Sequence, residues 1–184
     1  MKKILIAIDN DFIREAYSEV FKKEEFTVLE TKKGKKALDL AKKEKPDVAL
    51  LDILLSEIGG FELLEVFKKE NSTKKIPVVI FTQLEKRQDR QKAMELEAKD
   101  FVTAASISPT EIIRRVKIVL GEQKSYRLKV SKDTNAIKEL MKDLDYRPDL
   151  SCSKCGANLE LCLIRDLSKG RSHFIVSFVC PNCD

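Results

Sequence analysis

Short apolar runs alternate with amphipathic stretches through the first 121 residues, and the alternation predicts the elements. Ile4–Ile8 is a continuous apolar run of strand length, as a buried strand requires. Asn10 or Asp11 can cap a helix in which Ile13, Ala16, Tyr17, Val20 and Phe21 recur at helical spacing. A short strand is expected at 26–30. A helix follows over 35–44 with Ala37, Leu38 and Ala41 inward, ended by Pro46. Strands are expected at 47–51 and 76–81, separated by a helix over 61–69 whose inward residues are Phe61, Leu64 and Phe67. A more polar helix (86–98) and a minimal strand (101–103) complete the alternation. Ser108-Pro109-Thr110-Glu111 then carries a capping hydroxyl, a proline at the first helical position and a reciprocal carboxylate. Ile112, Ile113, Val116, Val119 and Leu120 form the apolar face of that last helix, and Gly121 stops it.

Five β-α units with nearly continuous apolar strands imply a parallel sheet covered on both faces. Such sheets bind ligands beyond the carboxyl ends of their strands, near the point where strand order reverses. Asp9, Asp52 and Thr82 end the first, third and fourth predicted strands, so two carboxylates and a hydroxyl are expected at one rim. Two carboxylates brought together share a proton or bind a cation. Hard oxygen ligands open to water suit Mg²⁺, beside which a carboxylate can accept a phosphoryl group.

The remainder of the chain reads differently. Residues 122–132 are polar and expected as a linker, with a short strand over 126–130 as the alternative. Asp133 or Thr134 can cap a helix running to Asp145, whose stripe of Ile137, Leu140, Met141 and Leu144 needs a partner. That partner is the chain itself, the favoured reading, or a second copy. All five cysteines follow residue 151, four of them as Cys152-x-x-Cys155 and Cys180-x-x-Cys183. In a reducing compartment this pattern means tetrahedral Zn²⁺ rather than disulfides. Between the pairs, strands over 159–165 and 172–179 joined by Ser168-Lys169-Gly170-Arg171 would fold one pair back onto the other. Four thiolates leave no open coordination position, so the site is expected to be structural. Cys162 reads as a small buried hydrophobe, and His173 as a strand residue rather than a ligand.

Charge narrows the partners. The formal net charge is +5, spread as +3 over residues 1–121 and +2 over 122–184, without a concentrated basic footprint. A Cys₄–Zn²⁺ unit would cancel the tail's charge, so protein contact is favoured over nucleic acid. The lysine doublets, interleaved with Glu, read as a solvated rim. The opening apolar run stops at Asp9, too early for a signal peptide, and no apolar run is long enough to cross a bilayer. A cytoplasmic protein without a membrane partner is expected.

The segments 3–9, 47–54 and 76–82 resemble the receiver domain of two-component response regulators, over about residues 2–120. The resemblance implies a five-stranded, doubly wound, flavodoxin-like sheet and a phosphoryl group accepted on Asp52 from a sensor histidine kinase or phosphotransfer protein. It further implies Mg²⁺ held by Asp9, Asp52 and the backbone carbonyl of Leu54, with Thr82 as switch hydroxyl and Phe101 as the family's rotating aromatic. The 149–184 segment resembles a zinc ribbon. Where the family has a second acid at the end of strand one, this chain has Ile8. Ala104 and Ala105 replace its lysine and cis-proline, so a trans bond is expected there. Gln83 follows the switch hydroxyl, Leu55-Ser56 stands where Met-Pro is common, and Gly59-Gly60 reads as a flexible turn. The expected organisation is a receiver over 1–121, a linker and helix over 122–148, and the ribbon over 149–184. The expected function is non-enzymatic signalling. The alternatives are a pseudo-receiver that works without phosphate and a nucleic-acid binder acting through the ribbon.

Overall fold

The computed structural model describes residues 1–83, 87–104, 108–122, 125–130, 135–143, 150–165 and 174–183. The chain divides into two compact units, Met1–Glu122 and Gln123–Asp184.

In the first unit, strands β1 (Lys3–Ala7), β2 (Thr27–Thr31), β3 (Val48–Asp52), β4 (Val78–Thr82) and β5 (Asp100–Thr103) form one sheet in the order β2-β1-β3-β4-β5. Every neighbouring pair is parallel. Strand side chains alternate between the two faces. Leu5, Ala7, Ala49, Leu51, Val78 and Ile80 pack under α2 (Gly34–Glu44), α3 (Gly60–Lys69) and α4 (Arg87–Glu95). Ile4, Ile6, Val48, Leu50, Val79 and Phe81 pack under α1 (Asp11–Lys23) and α5 (Pro109–Val119). Burial on both faces explains why β1, β3 and β4 read as unbroken apolar runs.

The helix ends follow local chemistry. Asn10 caps α1, its side chain accepting from the Ile13 N–H at 3.0 Å. Ser108 caps α5, its hydroxyl accepting from the Glu111 N–H at 3.3 Å. The Glu111 carboxylate, expected to reach back to the cap, instead pairs with Arg114 and Arg115. Lys45 closes α2 in a left-handed conformation (φ 46°) just before Pro46. The helix expected over 86–98 ends at Glu95, and Glu97 turns left-handed (φ 62°). Strands expected to stop at Leu51 and Phe81 run one residue further, because the backbone ladder continues under the polar Asp52 and Thr82. β2 and β4 likewise begin later than the apolar pattern, at Thr27 and Val78.

In the second unit, β6 (Ser125–Lys129), β7 (Glu160–Arg165) and β8 (Phe174–Val179) form an antiparallel sheet in that order. The strand weighed over 126–130 as the alternative to a linker is thus the reading found, and it adds a third strand to the anticipated hairpin. Helix α6 (Asn135–Asp143) turns its apolar stripe onto this sheet. Met141, Leu150 and Phe178 are buried, with Ile137, Leu140, Val130, Leu159 and Leu161 against them. The favoured partner for the stripe is therefore the one found. The expected caps Asp133 and Thr134, Leu144, the 168–171 turn, His173 and Ala105 lie outside the described residues.

Candidate functional site

Three polar residues stand at the carboxyl ends of adjacent strands. Asp52 closes β3 and pairs in register with Phe81, which places Thr82 one step further along the rim. Ala7 of β1 pairs with Leu51, so the chain leaving β1 delivers Asp9 beside the same edge. Asp52 is 2% exposed and Thr82 fully buried, whereas Asp9 is exposed. The Asp52 carboxyl accepts a hydrogen bond from the Leu54 N–H at 3.1 Å.

The electrostatics follow from this placement. Burial pushes the Asp52 carboxyl up from its ordinary 3.8 to about 6. The Leu54 and Ile53 amides pull it down, while the charge of Asp9 adds to the rise. A half-shielded carboxylate pair with a backbone turn beside it fits a hard divalent cation, which would relieve both burial and repulsion. Leu54, whose carbonyl the resemblance assigns to that cation, lies on the turn with its side chain exposed.

The turn after Asp52 is held from two sides. Gly60 begins α3 against Asp52, and a Cβ there would lie 2.1 Å from the Asp52 carbonyl oxygen. Gly60, the second residue of the Gly59-Gly60 pair expected as a flexible turn, is thus required for close approach, which sequence spacing does not reveal, whereas Gly59 has room for a Cβ. On the other side the turn is clipped to the chain leaving β2. The Gly34 N–H donates to the Ser56 carbonyl at 3.0 Å and the Ser56 hydroxyl to the Lys32 carbonyl at 3.2 Å. Lys33 and Glu57 pair at 3.0 Å across the same junction.

Phe101, on β5, is 4% exposed and packs with the α2–α4 side of the core. The Arg90 guanidinium lies 6.0 Å from its ring centre and donates to its carbonyl at 3.1 Å. Arg90 escaped the sequence reading, since only the fold brings α4 over β5. Ile8 and Ala104, the positions where this chain departs from the family, both face apolar surroundings on the α1–α5 side.

The second cluster is in the other unit. The sulfurs of Cys152, Cys155, Cys180 and Cys183 all lie within 4.8 Å of one another, with Cys155 and Cys180 at 3.4 Å. Each pair forms a knuckle in which a backbone N–H points at sulfur, from Lys154 to Cys152 and from Asn182 to Cys180, each at 3.4 Å. Gly156, at φ 71°, makes the turn out of the first knuckle, where a side chain would be strained. Cys155 is drawn down to about 6, first by the Ala157 backbone and then by the Cys183 thiol. Burial and then Cys155 push Cys183 up to about 12. Thiols this close compete for protons, and a tetrahedral dication fits their number, softness and spacing. Cys162 is buried on β7 apart from the cluster.

The sequence pattern of the response regulator receiver domain matches residues 4–117. The chain belongs to this family. The polar-differentiation response regulator DivK of Brucella anthropi is 26% identical over 121 residues, 66% of this chain and 98% of that protein. The phosphate regulon transcriptional regulatory protein PhoB of Escherichia coli is 31% identical over 119 residues, 65% of this chain but 52% of PhoB. A putative response regulator of known structure from Chloroflexus aurantiacus superposes with a TM-score of 0.62 at 27% identity, covering 65% of this chain and 98% of that one. The BeF₃-activated DrrB receiver domain gives 0.59 at 26%, covering 66% and 98%. The first unit is thus a receiver signalling module with the expected parallel sheet, and the cysteine cluster on short antiparallel strands fits a zinc ribbon. No helix among the described residues is long and apolar enough to cross a membrane.

Proposed function

We propose that this receiver accepts a phosphoryl group on Asp52 from a phosphohistidine of a sensor histidine kinase or phosphotransfer protein, in the cytoplasm. The observation that carries the reading is the Asp52 carboxyl at the rim, shielded, beside Asp9 and one register step from Thr82. An Asp52 oxygen attacks phosphorus in line, the P–N bond breaks, and the departing imidazole takes a proton from solvent. Asp9, Asp52 and the Leu54 carbonyl would hold Mg²⁺, which supplies charge neutralisation on the transferring oxygens when bound. The Leu54 N–H fixes the carboxylate, and the Thr82 hydroxyl donates to a phosphoryl oxygen. Drawing Thr82 toward the new charge biases Phe101, and with it α4 and β5. The ribbon, with structural Zn²⁺ on Cys152, Cys155, Cys180 and Cys183, is the output module and makes protein contacts.

The deciding experiment is incubation with Mg²⁺ and acetyl phosphate, read by intact mass. A gain of one phosphoryl group in the native chain, abolished by Asp52→Asn, is expected. No gain with either acetyl phosphate or a cognate kinase would refute the reading. One observation favours a second reading, a pseudo-receiver that signals without phosphate. Ile8 and Ala104 put apolar side chains where the family keeps an acid and a lysine. A charge-assisted contact of the lost kind contributes roughly 1.5–3 kcal/mol, so Ala104→Lys should speed phosphorylation if Asp52 is the acceptor and do nothing if it is not.

A further inference from the structure

α4 is seated on the receiver sheet differently from its neighbours. α3 buries Leu63, Leu64 and Phe67, and α5 buries Ile112, Ile113 and Val116. Along α4, Ala93 is the one fully buried side chain among the described residues. Cations supply what apolar contact does not. The Lys92 ammonium lies 4.7 Å from the ring centre of Phe61, and the Arg90 guanidinium 6.0 Å from that of Phe101. Each is drawn to the electron-rich face of its ring. Arg90 takes a second hold on the same residue, donating to the Phe101 carbonyl at 3.1 Å. One planar cation with several donors thus grips both the ring and the backbone of a single β5 residue. Strand register then ties that residue to the site. Ile80 stands opposite Phe101, and Thr82 opposite Thr103. Side chains two apart on a strand share a face, so the buried Phe101 ring is on the same side of the sheet as the Thr82 hydroxyl, one pleat repeat short of it.

We propose that Arg90 is the positioning residue that couples α4 to the phosphoryl site, by clasping Phe101 in its buried place on β5. α4 keeps its seat while the ring stays in, and a displaced ring takes the guanidinium and the helix with it. The coupling rests on the Asp52 reading: a shift of Thr82 that disturbs the ring is passed to α4 through Arg90. The clasp itself needs no phosphate, so the two can fail separately.

Fluorine NMR of the full-length chain labelled with fluorophenylalanine reads the ring directly, the Phe101 line being assigned with Phe101→Leu. Without phosphodonor, the native line is expected to stay put when H₂O is replaced by D₂O, as for a ring shielded from solvent. Arg90→Leu should introduce a solvent isotope shift. Arg90→Lys, which can reach the ring or the carbonyl but not both, should introduce a smaller one. Lys92→Leu strips α4 of its other ring contact and should leave the Phe101 line where it is. An unmoved line in Arg90→Leu, or an equal shift in Lys92→Leu, would overturn the clasp. If Arg90→Leu does not fold, Arg90→Lys decides by the same criterion. The coupling is read by hydrogen exchange after Mg²⁺ and acetyl phosphate. The native chain should gain one phosphoryl group by mass and change its exchange over 87–95, whereas Arg90→Lys should gain the group with that response reduced or lost. A full response in the variant refutes the coupling. No uptake by the native chain refutes the Asp52 reading and the coupling with it, while the clasp still stands or falls on the fluorine result.

Discussion

The two units reach a placed set of polar atoms by opposite routes. In the receiver, apolar strands and five helices build two clusters of 15 and 14 buried residues, and the site is what the finished sheet presents at its rim. Among the described residues of the ribbon the buried apolar cluster is a small one, Met141, Leu150 and Phe178. If the proposed zinc is bound, the cysteines organise the fold there. The receiver's core positions its chemistry, whereas the ribbon's metal would supply its core.

The largest test of this contrast is metal removal. If the proposed zinc is bound, chelation forfeits a term of roughly 10–16 kcal/mol, and Cys155→Ser part of it. It should unfold the ribbon while leaving the receiver's thermal transition in place, as followed by calorimetry and circular dichroism. Loss of both transitions together would mean the receiver also leans on the metal. The next effect concerns the receiver's joint. Gly60→Ala drives a methyl into the Asp52 carbonyl, so either β3 or α3 must move. Destabilisation of roughly 1–3 kcal/mol is expected, the range for overpacking, and chemical denaturation would measure it.

A further effect sharpens the electrostatic half. Because the folded Asp52 pKa is raised to about 6, the native state holds its proton more tightly than the unfolded chain. Stability at this residue is therefore full below pH 3.8 and falls as pH rises toward 6. The accumulated cost at neutral pH is on the order of 2–3 kcal/mol. Asp52→Asn should stabilise the receiver at pH 7 but hardly at pH 4, and added Mg²⁺ should raise the melting temperature of the native chain only. Equal stabilisation at both pH values would contradict the burial argument. The smallest effect is at the α5 cap, where Ser108→Ala should cost about 1 kcal/mol in denaturant titration and leave the ribbon unchanged.

The sequence revealed much of the receiver because its signals are local and periodic. Runs such as 4–8 and 47–51 announce buried strands, and Ser108-Pro109 announces a helix start. The cysteine spacing was equally legible. What escaped depends on contacts between distant segments. Asp52 and Thr82 look like residues after a strand, yet the ladder with Phe81 and Thr103 keeps them inside it. β6 was legible only as the alternative to a linker, since its alternating Tyr126 and Leu128 stay half exposed and only pairing with β7 settles it as a strand. Gly60 reads as a hinge until the Asp52 carbonyl is seen against it. Arg90 is one polar residue among many on α4 until Phe101 lies beneath it.

The stitching of Ser56 to Lys32 and Gly34 has a mechanical corollary. Any displacement of the segment just after Asp52 must drag the opening turn of α2 along or rupture those links. On that flank the molecule transmits movement as a yoked pair of loops, so a tug at Asp52 reaches α2 whenever it shifts the turn at all.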